Sequence, residues 1–168
     1  MKQFCFSAIL WLFYITCNAQ YDNSAGLRLG YTPAVTFKKF VHDEEAIELF
    51  ISGRKSGVQL TGIYQFHKPL ETSFTDRLYL NYGVGGHFGF ESRRRYRRFT
   101  NSQDQNEVVV KKKGQFAMGV DAIIGLEYRW LSVPMTIGFD VKPHFTYIGM
   151  RSTRLRFWDT ALSFKYIF

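Results

Sequence analysis

The sequence predicts an all-β protein: an eight-stranded antiparallel transmembrane β-barrel with a polar, filled interior. Three observations predict it. The last eleven residues alternate without a break: Trp158, Thr160, Leu162, Phe164, Tyr166 and Phe168 share one face, and Asp159, Ala161, Ser163, Lys165 and Ile167 the other. Period two marks a strand with two unlike sides. Seven further segments read as strands, and no stretch carries a defensible helical period. Aromatic residues make up 18% of the chain and Gly is frequent, which suits a barrel better than a helical bundle.

The first element is a leader. Lys2 precedes an apolar run, Phe4 to Ile15, and Cys17-Asn18-Ala19 precedes Gln20. A short positive end, a short apolar run and small residues before a cut describe a secretory signal peptide over residues 1–19. A membrane anchor is the weaker reading, because spanning takes about 20 apolar residues. Lipidation at Cys17 is also weaker, since Tyr14-Ile15-Thr16 fits such a site poorly. Residues 20–168 then form one barrel domain. Both cysteines, Cys5 and Cys17, leave with the leader, so no disulfide or Cys metal site remains. The mature chain carries 21 Lys and Arg against 14 Asp and Glu, a net charge of +7.

The strands are expected at Ala25–Tyr31, Val35–Val41, Ala46–Gly53, Val58–Phe66, Arg77–Phe90, Gln115–Trp130, Val133–Phe145 and Trp158–Phe168. In the fifth, Leu78, Leu80, Tyr82, Val84, Phe88 and Phe90 oppose Tyr79, Asn81, Gly83, Gly85, His87 and Gly89. In the sixth, Met118, Val120, Ala122, Ile124, Leu126, Tyr128 and Trp130 oppose Asp121, Gly125, Glu127 and Arg129. In the seventh, Val133, Met135, Ile137, Phe139 and Val141 oppose Thr136, Gly138, Asp140 and Lys142. The second fits worst, since Lys39 shares a face with Val35 and Phe37. Several runs exceed the ~9–11 residues that a tilted membrane strand needs. An open sheet in lipid leaves its edge groups unpaired, whereas an even number of antiparallel strands closes and removes every edge. Eight strands leave an interior that side chains fill.

The polar face would point inward: Arg28, Glu48, Arg54, Gln59, Gln65, Asp121, Glu127, Arg129, Asp140, Lys142, Asp159 and Lys165. Acids and bases are mixed, so they can pair in a buried core. With both ends of the mature chain periplasmic, the outer connections are Thr32–Ala34, Arg54–Gly57, Glu91–Gly114 and His144–Phe157. The inner ones are His42–Glu45, His67–Asp76 and Leu131–Ser132. The two longest fall on the outer side, as in barrels of this class.

The chain resembles the small outer-membrane β-barrel proteins of Bacteroidetes-type Gram-negative bacteria. The resemblance rests on Gly26-Leu27-Arg28-Leu29-Gly30-Tyr31, Tyr82-Gly83-Val84-Gly85-Gly86-His87, Gly125-Leu126-Glu127-Tyr128-Arg129 with Val133-Pro134, Asp140-Val141-Lys142-Pro143, and Ala161 to Phe168. It implies a barrel, an outer-membrane location and no defined reaction. The aromatic last residue on strand Trp158 to Phe168 resembles the signal read by the outer-membrane assembly machinery, an expected partner.

The segment Glu91–Gly114 is the candidate functional surface. It holds Arg93, Arg94, Arg95, Arg97, Arg98, Lys111, Lys112 and Lys113 against Glu91, Asp104 and Glu107. The other long outer connection adds Arg151, Arg154 and Arg156. Arg forms bidentate charge-assisted bonds to phosphate, so lipopolysaccharide or another anionic glycan is the expected ligand. Tyr96 and Phe99 are candidate interfacial anchors. A solvated loop that merely suits an anionic neighbourhood explains the same charge. Export argues against nucleic acid as the partner.

No cofactor or metal is expected, and the chain is read as not an enzyme. The rival is a lipid A-modifying barrel, which needs a His with a Ser and an acid in reach. His42 and His67 are placed at turns; His87 and His144 point inward, with Asp140 the acid nearest His144. No serine stands at a convincing spacing. A second rival is a soluble lipocalin-like carrier of small hydrophobic ligands, with the faces reversed. Trp130, Tyr128, Trp158 and Tyr166, as girdle residues, favour the membrane version. A subunit of a larger envelope complex fits equally well.

Overall fold

The computed structural model describes residues 22–54, 57–71, 75, 77–100, 106–130, 132–148 and 152–168. The expected leader, residues 1–19, lies outside them. Ten strand segments run β1 Asn23–Gly30, β2 Ala34–His42, β3 Glu45–Arg54, β4 Gly57–Pro69, β5 Leu78–Thr100, β6 Asn106–Trp130, β7 Met135–Val141, β8 His144–Ile148, β9 Ser152–Arg156 and β10 Thr160–Ile167. Among the described residues there is no helix. All pairings are antiparallel, each segment from β1 to β6 bonds the next, and β1 bonds β10, so the sheet closes on itself.

The wall has eight strands because two of them are broken. β7 and β8 pair with β6 in a single register, Ile124↔Val141 and Asp121↔His144. Pro143, which has no N–H to donate, separates them; its carbonyl accepts from Ala122 N at 2.9 Å. On the other side Val141 faces Thr160 while His144 faces Arg156. Phe157, Trp158 and Asp159 therefore oppose only Lys142 and Pro143, which is a β-bulge. The bulge moves the inward set from even to odd numbers and leaves Phe157 and Trp158 both outside, 59% and 78% exposed. Trp158 thus sits in the bulge, and the regular ladder begins at Thr160.

The faces sort as expected. Leu27, Leu29, Val35, Leu49, Ile51, Val84, Val120, Ile124, Phe139 and Leu162 are exposed on the outside. Arg28, Glu48, Gln59, Gln65, Asp121, Glu127, Asp140, Lys142, Asp159 and Lys165 are buried inside. Polarity is thus opposite to that of a soluble carrier barrel, where the apolar face lines the cavity. In the second strand Lys39 shares the exposed face of Val35 and Phe37 as expected, and Lys38 beside it is wholly buried.

Two connections differ from expectation. Glu91–Gly114 is mostly ladder: β5 and β6 pair from Leu78↔Tyr128 to Thr100↔Asn106. Because β4 begins at Gly57, level with Glu91, the last rungs rise as a two-stranded ribbon beyond the barrel mouth. His144–Phe157 likewise contains the β8–β9 hairpin. At the inner end, β4 runs to Pro69, so His67 is inside a strand and buried, contrary to its placement at a turn.

Candidate functional site

The interior charges form two groups. Nearer the inner end, Lys38 and Lys165 alternate with Glu48 and Glu127. Lys38 Nζ is 2.6 Å from Glu127 and 3.5 Å from Glu48; Lys165 Nζ is 2.6 Å from Glu48 and 3.7 Å from Glu127. Each cation touches both anions, so the square is neutral. Lys38 also donates to His67 Nε2 at 3.1 Å. Arg129 closes this end with its guanidinium over the Tyr79 ring, 3.8 Å from the centroid.

Toward the outer end, Arg28 donates from Nε and Nη2 to Asp140 at 2.9 and 2.7 Å, and from Nη1 to Asp159 at 3.3 Å. It also reaches the carbonyls of Thr32 and Asp159. Lys142 lies 3.7 Å from Asp121. Asp140 is thus committed to Arg28 and is not the partner of His144; the carboxylate nearest His144 is Asp159, at 3.9 Å. An apolar cluster of Ala34, Phe50, Ile63 and Ile123 shares the interior, Ile63 opposite Glu48 and Ala34 opposite Arg28. The charges are therefore a packed plug in which opposite signs meet, as buried charges require.

One arrangement here was missed from sequence. Asp121 Oδ2 meets His87 Nδ1 at 2.5 Å, and His87 Nε2 meets Thr146 Oγ1 at 3.1 Å. Acid, imidazole and hydroxyl stand in line. Gly119 makes room for the ring, since a Cβ there would lie 2.6 Å from His87 Cε1. Chemically this is the order of groups that activates a hydroxyl. Thr146 is only 1% exposed, and the cavity it borders with Gln59 and Glu91 is about 10 Å³, room for one water. These contacts tie β5, β6 and β8 together through one imidazole. The signal that could have found it is register: His87 opposes Gly119, and Gly119 opposes Thr146. Among the described residues no group of three His, Cys, Asp or Glu could hold a metal ion.

The expected anion-binding residues divide. Arg93, Arg94 and Arg95 on β5 stand directly opposite Lys113, Lys112 and Lys111 on β6. Arg97 faces Val109 and Arg98 faces Val108. Three consecutive rungs therefore pair base with base, and like charges opposite each other destabilise a ladder. Arg151 lies outside the described residues. Arg154 and Arg156 are strand residues already engaged within the protein. Arg154 donates to Glu91 at 3.2 Å, and the Arg156 guanidinium lies 4.2 Å from the centre of the Tyr31 ring. The bases that the structure concentrates on one element are thus the eight of the ribbon. No protein-family model, curated protein or solved structure matches this chain.

Proposed function

We propose that the chain is an integral outer-membrane β-barrel, exported through a cleaved leader, with a structural or adhesive role exercised by its basic ribbon on the phosphate-bearing glycolipid of the cell surface. The observation that carries the location is the inverted polarity: a charged, paired interior inside an apolar wall. Each large apolar side chain left in water forgoes about 1.5–3 kcal/mol of burial. The wall exposes dozens of such side chains, and a bilayer would cover them. Aromatic residues at both ends of the wall support it further. Tyr128, Trp130 and Tyr166 mark the inner end; Tyr31, Phe90, Phe116, Tyr147 and Trp158 mark the outer. Such belts sit at membrane interfaces.

The strand Thr160–Ile167 with Phe168 is the proposed signal to the assembly machinery. The ribbon's like-charge rungs are the reason to place an anion there. Phosphate groups held between Arg and Lys would convert repulsion into charge-assisted hydrogen bonding.

Membrane fractionation followed by electrophoresis of boiled and unboiled samples tests the location. A heat-dependent mobility shift in the outer-membrane fraction is expected. A soluble periplasmic protein without a shift overturns it. The ribbon is tested by replacing Arg93, Arg94, Arg95, Arg97 and Arg98 with Gln. Lipopolysaccharide binding and its salt dependence should both weaken, and unchanged binding would remove the surface role.

A further inference from the structure

The apolar wall is not smooth. A groove of about 540 Å³ lies on its outside where β5, β6 and β8 meet, walled by Val84, Val120, Phe145 and Leu155 with Ala122 and Pro143 along its bed. Its size falls within the ~300–1,000 Å³ of ligand sites. The bed is low because Ala122 and Pro143 are small and share a rung, Ala122 N donating to the Pro143 carbonyl.

The groove stands below the basic ribbon on the same two strands. From Val84 to Phe90 is six residues of β5. At ~3.3 Å per residue and a tilt of ~40° that is about 15 Å of height. Half of a ~30 Å hydrocarbon core is the same depth. Phe90 packs edge-on against Phe116, centroids 5.6 Å apart, at the level of the outer aromatic residues. Four residues beyond Phe90 comes the rung Arg94↔Lys112, about 10 Å higher by the same estimate. Arg94 and Lys112 share the even sequence parity of Val84, Phe88 and Phe90 and of Phe116, Met118 and Val120.

We infer that this wall seats one acyl chain of an outer-leaflet lipid whose phosphorylated head lies on the basic rungs above. The inference rests on the membrane reading and names the ligand of the ribbon as an amphiphile, gripped at both ends, in place of a free phosphate or a soluble glycan. Apolar walls below and paired bases above match a tail and an anionic head in the vertical order that an outer-leaflet lipid presents.

The test uses the full-length protein in detergent micelles and three probes: rough-type lipopolysaccharide, its deacylated phosphosaccharide, and its dephosphorylated form. Wild type should bind the intact lipid at least tenfold more tightly than either stripped form, near one per barrel. Ala122→Phe, which fills the groove, should lower intact-lipid affinity about tenfold and leave phosphosaccharide binding unchanged. Val84→Trp, on the opposite wall and already 66% exposed, does the same should Ala122→Phe lose the heat-dependent mobility shift. Equal affinity for intact and deacylated probes, or wild-type lipid binding by the filled variants, overturns the tail seat while leaving the ribbon reading standing. Full binding by Arg94→Gln/Lys112→Gln overturns the head contact, and with it the ribbon reading.

Discussion

The barrel interior and the ribbon above it are built from the same residue types and solve opposite problems. Inside, every buried base named above is placed against a carboxylate: Lys38 and Lys165 against Glu48 and Glu127, Arg28 against Asp140 and Asp159, Lys142 against Asp121. On the ribbon, the ladder sets Arg93, Arg94 and Arg95 against Lys113, Lys112 and Lys111. The first region is electrically self-sufficient. The second is where we propose that anions come from outside. Charge count alone does not separate the two regions; the residue placed beside each base does.

The largest effect tests the interior. Glu127→Gln leaves Lys38 and Lys165 sharing Glu48 alone, and removing one partner of a buried ion group costs about 3–5 kcal/mol. The urea midpoint of unfolding in micelles should fall accordingly. A variant as stable as the parent would mean that the square is dispensable. Next comes the ribbon. Replacing its five arginines with Gln should weaken lipopolysaccharide binding at least about tenfold, the worth of one charge-assisted hydrogen bond. Barrel stability should not move, because the interior pairs are untouched. A loss of stability equal to that of Glu127→Gln would erase the distinction between the regions.

A sharper variant turns one region into the other. Changing Lys111, Lys112 and Lys113 together to Glu makes three opposite-charge rungs, each worth about 0.2–1 kcal/mol. Amide exchange over 106–113 should slow while binding of phosphate-bearing lipid disappears. Faster exchange would show that repulsion across the rungs is not what the lysines contribute. The smallest effect is expected at the boundary. Arg154→Ala removes a part-buried pair with Glu91 and should cost about 1 kcal/mol or less. A larger loss by thermal melting would make that pair part of the plug.

The strand count and the inward set were largely legible because alternation is a property of neighbouring residues. A strand turns every second side chain the same way whatever its partner, so Glu127 could be assigned inside and Leu126 outside from order alone. His67 was misjudged at a strand end. There a single residue decides whether the chain is still in register or already in the turn, and local pattern is shortest. The bulge at Phe157 to Asp159 escaped for the same reason: both sides of it alternate correctly, and only the facing strand reveals the extra residue.

By itself, then, the sequence determined a closed β wall with an apolar outside, a charged inside and a basic segment near its outer end. Tertiary structure alone decided who meets whom. The Lys38, Glu48, Glu127 and Lys165 square joins four strands. The line from Asp121 through His87 to Thr146 joins three, and the like-charge rungs depend on how β5 and β6 align. Facing is encoded in the period of one strand, but pairing depends on the register between strands, a distance relation that no single segment carries.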